Sequence, residues 1–134
     1  MSTLSLQLYT LRDELEKDAD ATLAAVADMG LTVVEPFGIE NFDWLPEALA
    51  KHALTAESAH AGLLGETQDK VIEAAGKLGT KVVFQPFWDV EQWKSRDGID
   101  ALAAKLNEAA AKVGGQFQVG YHNHWFEFDD LDGV

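Results

Sequence analysis

A parallel α/β domain is the fold class that this chain predicts. Five short apolar runs of strand type alternate with stretches of helical periodicity. The runs are largely continuous in apolar residues, as strands covered on both faces are. Polar and aromatic residues collect where each run ends, which is where parallel α/β proteins place their chemistry.

Leu4-Ser5-Leu6-Gln7-Leu8-Tyr9 reads as the first strand. Asp18 or Asp20 is placed to cap the following helix, in which Leu23, Val26 and Met29 recur at helical spacing and which Gly30 ends. Thr32-Val33-Val34-Glu35 is a second strand, halted by Pro36. A short helix from Leu45 to His52 leads to a weaker third strand around Leu54 to Ser58. The next helix runs from about Thr67 to Leu78, with Val71, Ala74, Ala75 and Leu78 on one face and Gly79 as its stop. Lys81-Val82-Val83-Phe84-Gln85 is the fourth strand, ended by Pro86. A helix rich in alanine and leucine spans about Gly98 to Val113 and closes at Gly114-Gly115. Gln116-Phe117-Gln118-Val119-Gly120 is the fifth strand and enters a histidine-rich segment.

A chain of 134 residues is sized for one domain with a real core. The formal net charge of −13 argues against nucleic acid or an anionic membrane as partner, because phosphate-rich surfaces need a basic stripe. Arg12 and Arg96 are the only arginines, so a generic anion clamp is not expected, and the acidic surface is read as solubilising. The absence of cysteine excludes disulfides, iron–sulfur clusters and thiolate zinc sites. Met1-Ser2-Thr3-Leu4 lacks the basic start of a signal peptide, and no apolar run approaches the roughly 20 residues that span a bilayer. A cytoplasmic protein is therefore expected.

No G-x-G-x-x-G follows the first strand, which weakens a dinucleotide-binding reading. A doubly wound five-strand domain fits the length. A (β/α)8 barrel needs about 250 residues, so this chain would hold its first half only.

The strand ends supply the candidate site residues. They are Gln7, Tyr9 and Arg12 after the first strand, Glu35 after the second, and Glu57, Ser58 and His60 after the third. The fourth offers Gln85, Phe87, Trp88 and Asp89, and the fifth His122, Asn123, His124 and Glu127. Each has a bland alternative. A strand-end glutamate such as Glu35 is also a common helix cap or surface carboxylate, His60 alone is also a satisfied polar group, and Trp88 and Trp93 also read as packing residues. His52, among helical alanines, reads as surface. The segment Tyr121-His122-Asn123-His124-Trp125-Phe126-Glu127-Phe128 stands apart. Strand alternation sends His122 and His124 to one side, where two imidazoles repay burial with a metal or acid partner. Imidazole plus carboxylate with open positions suits Mn²⁺, Co²⁺ or Zn²⁺, which would polarise a carbonyl or hydroxyl while a carboxylate acts as general base.

Ser5-Leu6-Gln7-Leu8-Tyr9-Thr10-Leu11-Arg12, Val34-Glu35, His60 and Gly120-Tyr121-His122-Asn123-His124-Trp125-Phe126-Glu127-Phe128 together resemble the sugar phosphate isomerase/epimerase family. This is the xylose-isomerase-like TIM-barrel superfamily, which also holds inosose dehydratases, dehydroshikimate dehydratases and endonuclease IV. The resemblance runs through the whole chain, and its last motif is the most specific.

The resemblance implies the N-terminal half of a (β/α)8 barrel over residues 1–134, with about five parallel strands and four intervening helices. It also implies a divalent metal held by Glu, Asp, His and Glu at the ends of strands five to eight. Of these only the strand-five position is present, and where many members have Glu-Asn-His this chain has His122-Asn123-His124. That leaves the metal ligand open between His122 and Glu127. Glu35, His60 and Glu127 are the expected catalytic residues, and Gln7, Tyr9, His60, Trp88, Asn123 and His124 the expected contacts to a sugar or sugar phosphate.

The expected reaction is proton transfer next to a carbonyl; a dehydratase of the same superfamily and a non-catalytic half-barrel are the alternatives. Asp129 to Gly133 would lead into a further helix, and Val134 ends the chain there. The chain is expected to be a truncated half that lacks full activity, and its first and fifth strands are expected to be open edges through which copies associate.

Overall fold

The computed structural model describes residues 4–131. Five strands form within them: β1 (Ser5–Gln7), β2 (Val33–Glu35), β3 (Ser58–His60), β4 (Val82–Gln85) and β5 (Gln118–Tyr121). Five α-helices connect them: α1 (Arg12–Lys17), α2 (Ala19–Asp28), α3 (Leu45–Lys51), α4 (Gln68–Leu78) and α5 (Arg96–Val113). Short 3-10 turns sit at Leu8–Leu11, Ile39–Asn41, Val90–Lys94 and Phe126–Phe128. The segment expected to lead into a further helix leaves the described residues after Leu131.

Every ladder is parallel. β1 pairs with β2, and β3, β4 and β5 form a second sheet in that order. Single parallel bridges, Val33 with Thr55 and Phe37 with His60, join the two. The strands therefore follow one another in chain order, as in a barrel wall. The doubly wound alternative would have placed β1 inside the sheet. Instead, among the described residues, β1 pairs with β2 alone and β5 with β4 alone.

The core lies between strands and helices. Val34 and Val83 from the strands, Leu23 and Val26 from α2, Val71 from α4 and Val113 from α5 are fully buried, together with Leu8 and Leu63 from the connections. Burial of each such side chain contributes about 1.5–3 kcal/mol. Among the described residues no helix is long and apolar enough to cross a membrane.

Three local expectations are corrected. Regular pairing in β3 begins at Ser58, not Leu54. Leu54 and Ala56 are buried with alternating exposure, which mimics a strand, yet Thr55 makes only its one bridge to Val33. The first connection holds two helices, because Asp18 is extended at φ −157° and its carboxylate accepts from the Ala21 N–H at 2.9 Å. Asp18 is thus the cap. Asp20 instead accepts from Lys51 Nζ at 2.7 Å and meets His52 Nε2 at 2.7 Å, tying α2 to α3. That contact also draws the side chain of His52 in to 13% exposure, so it is not a free surface residue.

Candidate functional site

The chemistry-bearing residues meet at the carboxyl ends of the strands. Gln7 ends β1, Glu35 ends β2, His60 ends β3, and Tyr121 ends β5 with His122 to His124 directly beyond. The His122 N–H bonds to the Gln85 carbonyl at 3.0 Å, extending the β4–β5 register one step past the strand.

Gln7, Glu35 and His60 form a triangle. The Tyr9 N–H donates to Gln7 Oε1 at 3.0 Å, which fixes the amide orientation. Gln7 Nε2 then faces Glu35 Oε1 at 2.6 Å and His60 Nδ1 at 3.0 Å. His60 Nδ1 also lies 3.0 Å from Glu35 Oε1, with the two side chains 14% and 19% exposed. The Ser58 hydroxyl donates to the other Glu35 oxygen. Ser58 stands two residues before His60 on β3, so the pleat puts both on one face. Burial pushes the His60 pKa below the ordinary imidazole value; Glu35 opposes this and the neighbouring His122 adds to it.

Glu127 organises the far end. Its side chain is 1% exposed. Oε1 accepts from the Tyr121 hydroxyl at 3.0 Å and faces His124 Nδ1 at 3.3 Å, while Oε2 accepts from the His124 N–H at 2.7 Å. Burial raises the Glu127 pKa, but the N–H groups of Glu127 and His124, the His124 ring and the Tyr121 hydroxyl more than reverse this, leaving it below the ordinary carboxylate range. Burial and the same carboxylate push the Tyr121 phenol up to about 12. The His124 ring stacks on Phe126, with centroids 5.3 Å apart and planes 11° from parallel.

Three imidazoles stand in a row between these carboxylates. His60 meets His122 edge to face at 4.8 Å, and His122 meets His124 edge to face at 4.9 Å. His60, His122 and His124 line a cleft of about 430 Å³ with Gln7, Tyr9, Phe37, Glu40 and Phe87. Gly38 also lines it, and its left-handed backbone (φ 54°) turns the chain so that its N–H bonds to the His60 carbonyl at 2.8 Å. A neighbouring apolar cleft of about 390 Å³, walled by Leu8, Phe37, Phe42 and Trp44, carries none of the histidines.

Gln7, Tyr9, Glu35, Ser58, His60, Phe87, His122, His124 and Glu127 are therefore together. The side chains of Arg12, Glu57, Gln85 and Asp89 bond elsewhere, to the Tyr9 carbonyl, Lys81, the Leu63 N–H and the Glu91 N–H. Glu35 and Glu127 stand behind their imidazoles instead of lining the cleft. Asn123 is exposed outside the lining, as the odd member of the His122–His124 alternation. Trp88 is also outside it, with Lys105 Nζ 5.9 Å from its ring. Sequence reasoning did not assign Ser58 or Tyr121 as carboxylate anchors, nor Glu40 as a lining residue. The signal for Ser58 was its two-residue spacing from His60.

A complete shell for a divalent ion does not fit the residues present. Among the described residues no group of three or more His, Cys, Asp or Glu side chains is arranged to hold one. The row places His60 and His124 on either side of His122, and both oxygens of Glu127 are engaged.

Two solved structures share this fold. A sugar phosphate isomerase/epimerase from Parabacteroides distasonis ATCC 8503 superposes with a TM-score of 0.80 at 22% identity, over 96% of this chain and 54% of that one. A xylose isomerase-like TIM barrel protein from Mycobacterium smegmatis, in complex with magnesium, gives 0.53 at 14% identity, over 76% of this chain and 45% of that one. The chain spans about half the length of each. No protein-family model matches it, and no curated protein does. The likeness establishes the fold: this is a partial TIM barrel with five parallel strands in chain order.

Proposed function

We propose that the chain carries the proton-transfer end of a sugar or sugar-phosphate isomerase or epimerase. The observation that supports this best is the Glu35–His60 pair opening onto the cleft beside His122 and His124. A partly buried imidazole with a lowered pKa is neutral at neutral pH and can accept a proton. In the proposed reaction His60 takes the proton from the carbon next to a carbonyl. The C–H electron pair becomes the enediolate double bond and the carbonyl π pair moves onto oxygen. Return of the proton to the neighbouring carbon, with the remaining hydroxyl proton passing from one enediolate oxygen to the other as the new carbonyl forms, isomerises the sugar. Return to the opposite face of the same carbon, with the oxygen's π pair restored to the carbonyl, epimerises it. Gln7 and Tyr9 would contact the hydroxyls, and Phe37 and Phe87 the carbon face. No lysine or arginine lines the described cleft, which favours the neutral end of the substrate there.

His122 is proposed as one nitrogen donor to Mn²⁺, Co²⁺ or Zn²⁺. An ion of that kind supplies Lewis acidity toward substrate oxygens when bound. Its remaining donors would come from outside the described residues.

The test is deuterium incorporation from D₂O into a panel of ketoses and ketose phosphates, followed by NMR, with and without those ions. Exchange at the carbon next to the carbonyl, lost in His60→Asn, is expected. A panel in which no sugar exchanges under any of these conditions overturns the reading.

A further inference from the structure

The two carboxylates and the three imidazoles are arranged unequally, and the inequality follows a pattern. His60 and His124, at the ends of the row, each direct Nδ1 at a carboxylate, Glu35 at 3.0 Å and Glu127 at 3.3 Å. His122, between them, has no carboxylate against it and makes no side-chain hydrogen bond among the described residues. Each carboxylate is fixed by a second group on its own side. Ser58 and Gln7 hold Glu35; the Tyr121 hydroxyl and the His124 N–H hold Glu127.

A neutral imidazole carries its one proton on Nδ1 or on Nε2. At His60 the two contacts to Nδ1 compete. Gln7 Nε2 could donate to an Nδ1 lone pair, or Nδ1–H could donate to Glu35. The amide nitrogen is also 2.6 Å from Glu35 Oε1 and has its own acceptor there. A bare Nδ1 lone pair 3.0 Å from a carboxylate oxygen would set two lone pairs against each other. A charge-assisted N–H···O⁻ bond is roughly twice as strong as a neutral one. The carboxylate therefore decides the tautomer, and the same reasoning holds at His124.

We propose that Glu35 and Glu127 are positioning residues, each locking its histidine as the Nδ1–H tautomer. His60 and His124, which line one cleft from either end of the row, then keep the same nitrogen, Nε2, free of a proton, while His122 keeps the ordinary preference of a free imidazole side chain. The use of this arrangement rests on the proton-transfer reading above. The tautomers themselves do not.

Long-range ¹⁵N–¹H correlation spectra of the whole protein distinguish the two tautomers, recorded at about pH 8.5, about two units above the ordinary imidazole value. His60 and His124 are expected to show the Nδ1–H pattern and His122 the Nε2–H pattern. Glu35→Gln should shift His60 toward Nε2–H and leave His124 unchanged, and Glu127→Gln should do the reverse. Either end histidine as Nε2–H in the unsubstituted protein overturns the proposal, whether or not the variants fold. So does a folded variant whose histidine keeps its tautomer. Nδ1–H patterns in a protein that exchanges no sugar proton would remove the proposed reaction and leave the positioning in place.

Discussion

Phe84 fills the space that a side chain at Gly120 would need: a β-carbon there would stand 2.6 Å from Phe84 Cδ1 and 2.7 Å from Cε1. The two residues are directly paired across the β4–β5 ladder. The Phe84 ring in turn lies 5.4 Å from the His60 ring.

Gly120→Ala should therefore act on both fold and site. Overpacking of this kind costs about 1–3 kcal/mol, read as a lower urea midpoint. The displaced ring should also shift the His60 signals. An unchanged midpoint with unmoved His60 resonances would contradict this contact.

Acid should unfold the protein through Glu127. Its folded-state pKa lies below the ordinary carboxylate range, so the unfolded chain takes up a proton at a higher pH than the folded one. The stabilisation is present above the ordinary glutamate value and is lost as pH falls through the folded value. His60, lowered mainly by burial, adds the same sign of slope as pH falls below the ordinary imidazole value. Glu127→Gln should flatten the lower part of the stability–pH curve, measured by urea melts from neutral to acid pH. A variant with an equally steep acid limb would assign that limb to other groups.

Helix α5 depends on a cap outside the span read from sequence. The Gly98 N–H donates to Ser95 Oγ at 3.1 Å. Ser95→Ala should cost about 1 kcal/mol, the typical loss for a serine cap, while Ser95→Asp should restore most of it. Thermal unfolding of the pair checks this, and equal melting temperatures for Ser95→Ala and the parent would count against the cap.

Self-association through strand edges is the expected behaviour of the isolated chain. β1 and β5 each have one unpaired side among the described residues, and such edges template pairing. Light scattering across a concentration series should show the mass rising toward a dimer. A constant monomer mass at high concentration rules the association out.

Much of this was readable in the residues, for identifiable reasons. Pro36 and Pro86 marked strand ends because proline cannot donate to a ladder, and Gly79 and Gly114 marked helix ends, where both adopt left-handed backbone. Gln7, Glu35, His60, His122 and His124 were legible as a set because parallel strands deliver their last residues to one rim. The order of carboxylate behind and imidazole in front was not legible. It depends on Glu127 folding back through the 3-10 turn at Phe126–Phe128 onto Tyr121, and sequence spacing does not reveal that reversal. The third strand was misplaced because Leu54 and Ala56 share the burial pattern of a strand, while pairing there is limited to Thr55, whose N–H donates to the Thr32 carbonyl and whose carbonyl accepts from the Val34 N–H.

The seam between β2 and β3 carries a final consequence. Gln7 and Glu35 belong to one sheet, Ser58 and His60 to the other, and their hydrogen bonds cross the thinnest part of the wall. Among the described residues only four backbone hydrogen bonds accompany them there, and a line so sparsely bonded can open locally at lower cost than the whole protein unfolds. The side-chain clasp at the rim therefore couples closure of the seam to the alignment of His60, and local opening would take Gln7 and Glu35 away from that histidine while leaving it on the same sheet as the strand that delivers His122 and His124.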